Sequence, residues 1–146
     1  MSKIKKDEFV KHQIIEASKV VFKNYGFKKA NMELIAKASG KGRSTLYYYF
    51  ENKDAVFKAF CEDFYEDMLE VIFKQLSPNL TIEKNLNLYT QGRLNHLIEA
   101  LDTYENLLAD IKSDTKFMVH LFRCSPDILS FNYINDSKSM PKTLES

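Results

Sequence analysis

The sequence predicts an all-α protein, and three observations carry that reading. Apolar residues recur three and four positions apart through most of the chain, as they do on one face of a helix. Only four glycines and three prolines punctuate 146 residues, so the helical stretches run long. No stretch of useful length alternates apolar and polar residues as a half-buried strand does.

Residues 1–6 read as a polar, lysine-bearing, mobile arm. From Asp7 the pattern turns helical, with Phe9, Val10, Ile14, Ala17, Val20, Val21 and Tyr25 at helical spacing and Ile15 and Phe22 widening the stripe. Asp7 and Glu8 fall in the first turn, where negative charge suits the helix dipole. Gly26 supplies a stop, with Lys23 near that end. Asn31 is a good N-cap for a second, short helix through Leu34, Ile35 and Ala38, ending at Ser39-Gly40. Lys41-Gly42 forms a turn, and a third helix runs from Gly42 or Arg43 to about Phe50. Two short helices around a glycine-marked turn are the outline of a helix-turn-helix. Leu46 and Phe50, four apart, point together into a core. Tyr47, Tyr48 and Tyr49 between them cannot all be buried, because successive residues step about 100° around the axis.

After the polar break at residues 51–54, one long helix extends to about Leu76, with an acidic outer face of Glu62, Asp63, Glu66, Asp67 and Glu70. Ser77-Pro78-Asn79 is a linker. Thr81 caps the next helix, which reaches about Tyr104; Gly92 inside it marks a kink or a close helix contact. Leu107, Leu108 and Ile111 continue in a shorter helix, and Phe117, Met118, Leu121 and Phe122 suggest another before Ser125-Pro126. Residues 132–146 are polar, weakly patterned and read as a tail.

Apolar residues make up 45% of the chain, enough for a packed core. Cys61 and Cys124 form no CxxC pair and no disulfide framework, which suits a reducing compartment. No apolar run approaches the ~20 residues that span a bilayer, and the lysine-rich start lacks an apolar signal region. The expected location is the cytoplasm. The net charge of +1 hides a split: residues 1–58 hold thirteen Lys/Arg against six Asp/Glu, and the remainder holds eight against fourteen. A basic first part suits a polyanion, although on charge alone a solvated lysine surface is the commoner explanation.

Residues 13–56 resemble the DNA-binding domain of the tetracycline-repressor (TetR) family. The resemblance rests on Ile14-Ile15-x-Ala17, Phe22-x-x-x-Gly26-Phe27, Met32-x-x-Ile35-Ala36-x-x-Ser39-Gly40 and, most specifically, Thr45-Leu46-Tyr47-Tyr48-Tyr49-Phe50-x-x-Lys53. Two positions in the turn depart from the family's pattern. Lys41 stands where an apolar residue is usual, and Gly42 replaces the usual Ser/Thr cap. The resemblance implies a helix-turn-helix DNA-binding domain over residues 1–53 and a helical effector-binding and dimerisation region over residues 54–146. That second region is short for the family: its dimer-forming helices either lie outside this chain or are replaced.

By the same resemblance, the third helix enters the major groove, and the expected DNA contacts are Asn31, Arg43, Ser44, Thr45, Tyr47, Tyr48, Tyr49 and Lys53. Arg43 suits guanine or a phosphate. Ser44 and Thr45 offer hydroxyls to base edges or phosphates, though Thr45 can instead serve its own first turn. Tyr47 and Tyr48 can pack against sugar or a thymine methyl, while Tyr49 could pack against the first helix. Lys53 matches a phosphate-contacting lysine, against the alternative of a solvated one. Asn31 either caps its helix alone or also reaches a phosphate.

The resemblance also implies a pocket for a small, apolar effector, with Phe60, Phe64, Met68, Tyr89, His96, Tyr104 and Phe117 as lining candidates; plain core packing is the alternative for each. His12-x-x-x-Glu16, His96-x-x-Glu99 and His120-x-x-x-Cys124 have helical ligand spacing, but two ligands make no metal site. No metal and no cofactor is expected. Phosphate-cradling glycine loops, HExxH and the nucleophile elbow are missing from the sequence, which argues against an enzyme. The expected function is a sequence-specific transcriptional regulator, a repressor released by its effector and acting as a homodimer on a near-palindromic DNA operator. The alternative is a helical protein-interaction module that binds no DNA.

Overall fold

A computed structural model describes residues 2–114 together with 116 and 119. Six helices follow in order: α1 (Lys3–Lys29), α2 (Met32–Ser39), α3 (Arg43–Tyr49), α4 (Lys53–Phe73), α5 (Ile82–Thr103) and α6 (Glu105–Ser113). No strand occurs among the described residues. Phe117, the helix read around it and the tail at 132–146 lie outside them.

The start of α1 corrects the sequence reading. Residues 3–6 are helical, and the Ser2 hydroxyl accepts from the Lys5 amide at 3.4 Å. A serine N-cap satisfies one of the first amides that no helical carbonyl can reach. The acidic pair Asp7-Glu8 therefore falls in the second turn, and no acidic residue stands in the first. The stop at Gly26 is a break instead of an end. Its φ of 72° interrupts α1, which then resumes to Lys29.

One core joins α1 to α4. Ile14, Phe22, Ile35, Leu46 and Val56 are fully inaccessible, and Phe27, Phe50, Phe57 and Phe60 close around them. Phe22 meets Phe57 edge-on at 5.1 Å between ring centroids, a favourable aromatic geometry. Ser18 is buried in the same face of α1, where its hydroxyl donates to the Ile15 carbonyl at 2.6 Å. Phe9, Val20 and Tyr25, placed on the apolar stripe from spacing alone, are exposed, and so is Ala38 of α2. The buried stripe of α1 is thus narrower than the apolar pattern and includes a serine.

The core continues past residue 53, through Cys61 of α4 to Leu107 of α6. A second cluster of Tyr65, Met68, Leu69 and Ile72 lies further along α4, with Phe73 and Tyr89 against it. There α5 comes close. A Cβ at Gly92 would stand 2.6 Å from Cγ1 of Ile72, so glycine is what lets the two helices approach. No residue of α5 is buried. On α1, Lys19 donates to Glu16 and also lies 2.6 Å from Asp63 of α4. Burial pulls the Lys19 pKa down, but the bonds to Asp63 and Glu16 outweigh it and hold the ammonium above the ordinary lysine range.

Candidate nucleic-acid interface

The geometry of α2, the turn and α3 follows from local chemistry. The Asn31 side-chain oxygen accepts from the Leu34 amide at 2.8 Å, capping α2. Gly40 ends α2 in the left-handed conformation at φ 65°, and the Lys41 amide returns to the Ala36 carbonyl at 3.1 Å, closing the last turn. Gly42 then caps α3 with no side-chain bond. Lys41 needs no buried apolar contact here, because it is only half-buried.

Leu46 is fully buried and Phe50 nearly so, which anchors one side of α3 to the core. Arg43, Ser44, Tyr47 and Tyr48 stand exposed at i, i+1, i+4 and i+5, forming one outward face; Tyr48 is 69% exposed. Of the residues expected to contact DNA, these four share that face, and Thr45 sits half-buried beside it. Asn31 is exposed; its oxygen is committed to the cap while its amide group has no such commitment.

Tyr49 and Lys53 are held by the protein itself. The Tyr49 hydroxyl donates to Asp7 of α1 at 2.9 Å, and its ring stands edge-on to Tyr48 at 4.9 Å. The bond to Asp7 holds the Tyr49 phenol above its ordinary pKa. Lys53 opens α4, where Asn52 supplies the cap to the Ala55 amide at 2.9 Å. Its ammonium donates to the Phe27 carbonyl at 2.7 Å and lies 4.2 Å from the centre of the Phe27 ring, a cation–π distance. Burial pulls the Lys53 pKa below the ordinary lysine value.

A concavity of about 180 Å³ opens between α4, α5 and α6. Phe57, Phe60 and Phe64 line it from α4, Leu97 and Leu101 from α5, and Leu107, Leu108 and Ile111 from α6, with Tyr104 at the junction. Among the sequence candidates, Phe60, Phe64 and Tyr104 meet there. His96 reaches it only through Phe64, 4.5 Å away between ring centroids, and its Nε2 is buried without a hydrogen-bond partner. Met68 and Tyr89 do not line it. Met68 sits about one turn beyond Phe64 on α4, in the second cluster, and Tyr89 of α5 packs against that cluster, because 3–4 spacing repeats along a whole helix and cannot say where the cavity stops. Phe117 lies outside the described residues. The contribution of α6 was visible as Leu107, Leu108 and Ile111 at helical spacing, but nothing in that pattern distinguished a cavity wall from core.

His12 and Glu16 of α1 come together with Asp63 of α4 as three possible ligands. The Lys19 ammonium lies 2.6 Å from both Glu16 and Asp63, so this cluster already holds a cationic group.

Residues 14–60 match the profile of the bacterial regulatory proteins of the tetR family. The chain is 29% identical over 77 residues to the HTH-type transcriptional regulator YhgD of Bacillus subtilis, covering 53% of this chain and 40% of that protein. It is 29% identical, also over 77 residues, to the HTH-type transcriptional repressor Rv1474c of Mycobacterium tuberculosis, covering 51% and 41%. The matched segment thus spans about two fifths of each relative. The fold resembles that of the fatty acid degradation regulator FadR from Bacillus halodurans, with a TM-score of 0.59 at 22% identity over 80% of this chain and 60% of that one. It equally resembles a TetR-family regulator from Mesorhizobium loti, at TM-score 0.59 and 22% identity over 88% and 62%.

Proposed function

We propose, from the match of residues 14–60 to the tetR family of bacterial regulatory proteins, that this chain is a DNA-binding transcriptional regulator of that family acting through α3. The observation that carries the proposal is the division of α3. Leu46 is sealed in the core while Arg43, Ser44, Tyr47 and Tyr48 stand outward together, on a helix that fits a groove about 12 Å wide. Arg43 and Ser44 supply donors at the helix start, and the two tyrosines add ring surface and hydroxyls further along. The basic balance of residues 1–58 supports the same partner.

In this reading the DNA-binding unit is residues 1–53, and residues 54–146 bind the effector and the second copy. Two copies place their α3 helices in successive major grooves, about 34 Å apart, on a near-palindromic operator. A small apolar molecule in the cleft of α4, α5 and α6 releases the DNA by favouring a helix arrangement with a different spacing. The name of the Mycobacterium tuberculosis relative supports repression over activation. Among the described residues no helix is long and apolar enough to cross a membrane, and a chromosomal target puts the protein in the cytoplasm.

The test is selection of binding sequences from a random DNA pool. Enrichment of an inverted repeat supports the reading and recovers the operator. A pool that stays random after repeated rounds rejects it in favour of a helical module that binds protein.

A further inference from the structure

We propose that the first turns of α1 form a second DNA contact, with Lys3 and Lys6 reaching backbone phosphates beside the groove that α3 enters. This inference rests on the DNA-binding reading and extends it to a surface outside the helix-turn-helix.

The position comes from two contacts between α1 and the far end of α3 and from the packing of Val10. The Tyr49 hydroxyl donates to Asp7 at 2.9 Å. The Lys11 ammonium stands 5.6 Å from the centre of the Phe50 ring. Val10 packs on the core that holds Leu46 and Phe50. Asp7, Val10 and Lys11 therefore define the side of α1 that faces α3. Because residues 3–6 are helical, their directions are fixed relative to that side. At 3.6 residues per turn, Lys3 lies about 40° around the helix from Asp7, and Lys6 about 40° from Val10. Lys5 points away: it lies about 40° from Phe9, which is exposed on the other side.

Charge supports a polyanionic partner there. The first turn of a helix favours acidic residues, yet here it holds lysines and no acid. Among the described residues Lys3, Lys5 and Lys6 are exposed and form no ion pair. Such a local conflict brings folding no gain and marks a surface kept for something else. Asp7 is the carboxylate on this side, and the Tyr49 hydroxyl donates to one of its oxygens. Phosphates along one strand edge, next to a groove occupied by Arg43 and the exposed tyrosines, match this placement.

The test uses the full chain and a mixed-sequence DNA duplex, titrated between about 50 and 200 mM salt. Each phosphate contact contributes about 0.9 to the slope of log affinity against log salt. The double variant Lys3→Gln/Lys6→Gln is expected to lower that slope by nearly two contacts and to weaken binding uniformly across sequences. Lys5→Gln is expected to leave the slope unchanged. Helicity and melting are expected to stay at the wild-type level in all variants, since these side chains are exposed. An unchanged slope in the double variant, with steep salt dependence in the wild type, overturns the inference and leaves the DNA reading intact. An equal loss in Lys5→Gln overturns it as well, because net charge and not position is then responsible. A wild type that binds without salt dependence sinks the DNA reading itself.

Discussion

The carboxylate of Asp110 on α6 accepts a hydrogen bond from the backbone amide of Phe27 on α1 at 2.8 Å, across 83 positions of sequence. The same oxygen accepts from the Lys28 amide at 3.0 Å. Gly26 breaks α1, and the turn that restarts after it has amides with no helical carbonyl behind them. Asp110 satisfies those amides as an N-cap would, but from a different helix. Asn106, one turn earlier on α6, donates to the Lys23 and Asn24 carbonyls at 2.9 and 3.1 Å. Both orphaned ends of the break are thus served by α6, which also lines the cleft through Leu107 and Ile111.

Asp110→Ala is expected to destabilise the protein by about 1–2 kcal/mol, the usual loss for a cap with part-buried partners. Urea unfolding followed by circular dichroism measures this. Asp110→Asn, which keeps an acceptor oxygen, should recover part of the loss. Equal losses in the two variants would mean that the charge, and not the hydrogen-bond geometry, stabilises the break.

Gly26 and Gly40 both have positive φ, yet they face different surroundings. A Cβ at Gly26 would stand 2.6 Å from Oδ2 of Asp110 and 2.9 Å from the Asn106 carbonyl oxygen, whereas one at Gly40 meets nothing within 4 Å. Gly40→Ala therefore carries the backbone cost alone, about 1–2 kcal/mol. Gly26→Ala adds the clash and should cost more, with the α6 contact displaced. Melting temperatures of the two variants rank them, and similar values would contradict the close seating of α6 on the break.

The bond between Tyr49 and Asp7 predicts a pH effect. A folded-state pKa raised above the unfolded value near 10 contributes stability below that pH, and the contribution is lost as pH rises through the folded value. Near-UV absorbance titration should show a late-ionising phenol that disappears in Tyr49→Phe, beside that of Tyr104, which burial also raises. In Asp7→Ala the same phenol is expected to ionise earlier, with burial and Tyr48 still holding it above the ordinary value. A titration indistinguishable among the three proteins would mean that the hydroxyl does not face Asp7 in solution.

Much of this architecture was legible in the residues. Asn31, Gly40, Thr81 and the pair Leu46/Phe50 announced caps and core through chemistry that acts within a few residues, and the structure places each accordingly. Gly92 was readable as a close contact but not its partner, Ile72, because a glycine says only that something approaches. Asp110 was not legible: an acid on a short helix looks solvated until the distant break it caps is known. Lys53 was legible as a cation near the recognition helix, whereas the Phe27 carbonyl that receives it lies 26 positions away. Residues 1–6 read as an arm because their lysines oppose the helix dipole, yet from Lys3 the Ser2 cap and the continuous helix behind it outweigh that penalty.

Tyr48 and Lys53 separate recognition from architecture. Tyr48 is 69% exposed, so Tyr48→Ala is expected to leave stability within about 0.5 kcal/mol of wild type. In the proposed reading, the loss of its ring and hydroxyl from the DNA-facing side should weaken binding by about 1–3 kcal/mol, as direct contacts do. Lys53→Ala behaves differently. It removes a charge-assisted bond to the Phe27 carbonyl and a cation–π contact, for an expected stability loss of about 1 kcal/mol. Any phosphate contact by Lys53 must compete with that carbonyl, so its effect on DNA binding should be smaller than that of Tyr48. Parallel measurement of unfolding and of DNA affinity for the two variants checks both halves. A Lys53→Ala protein that unfolds like the wild type but loses DNA binding would show that the ammonium leaves Phe27 for phosphate at little cost, and the staple between α1 and α4 would then be dispensable.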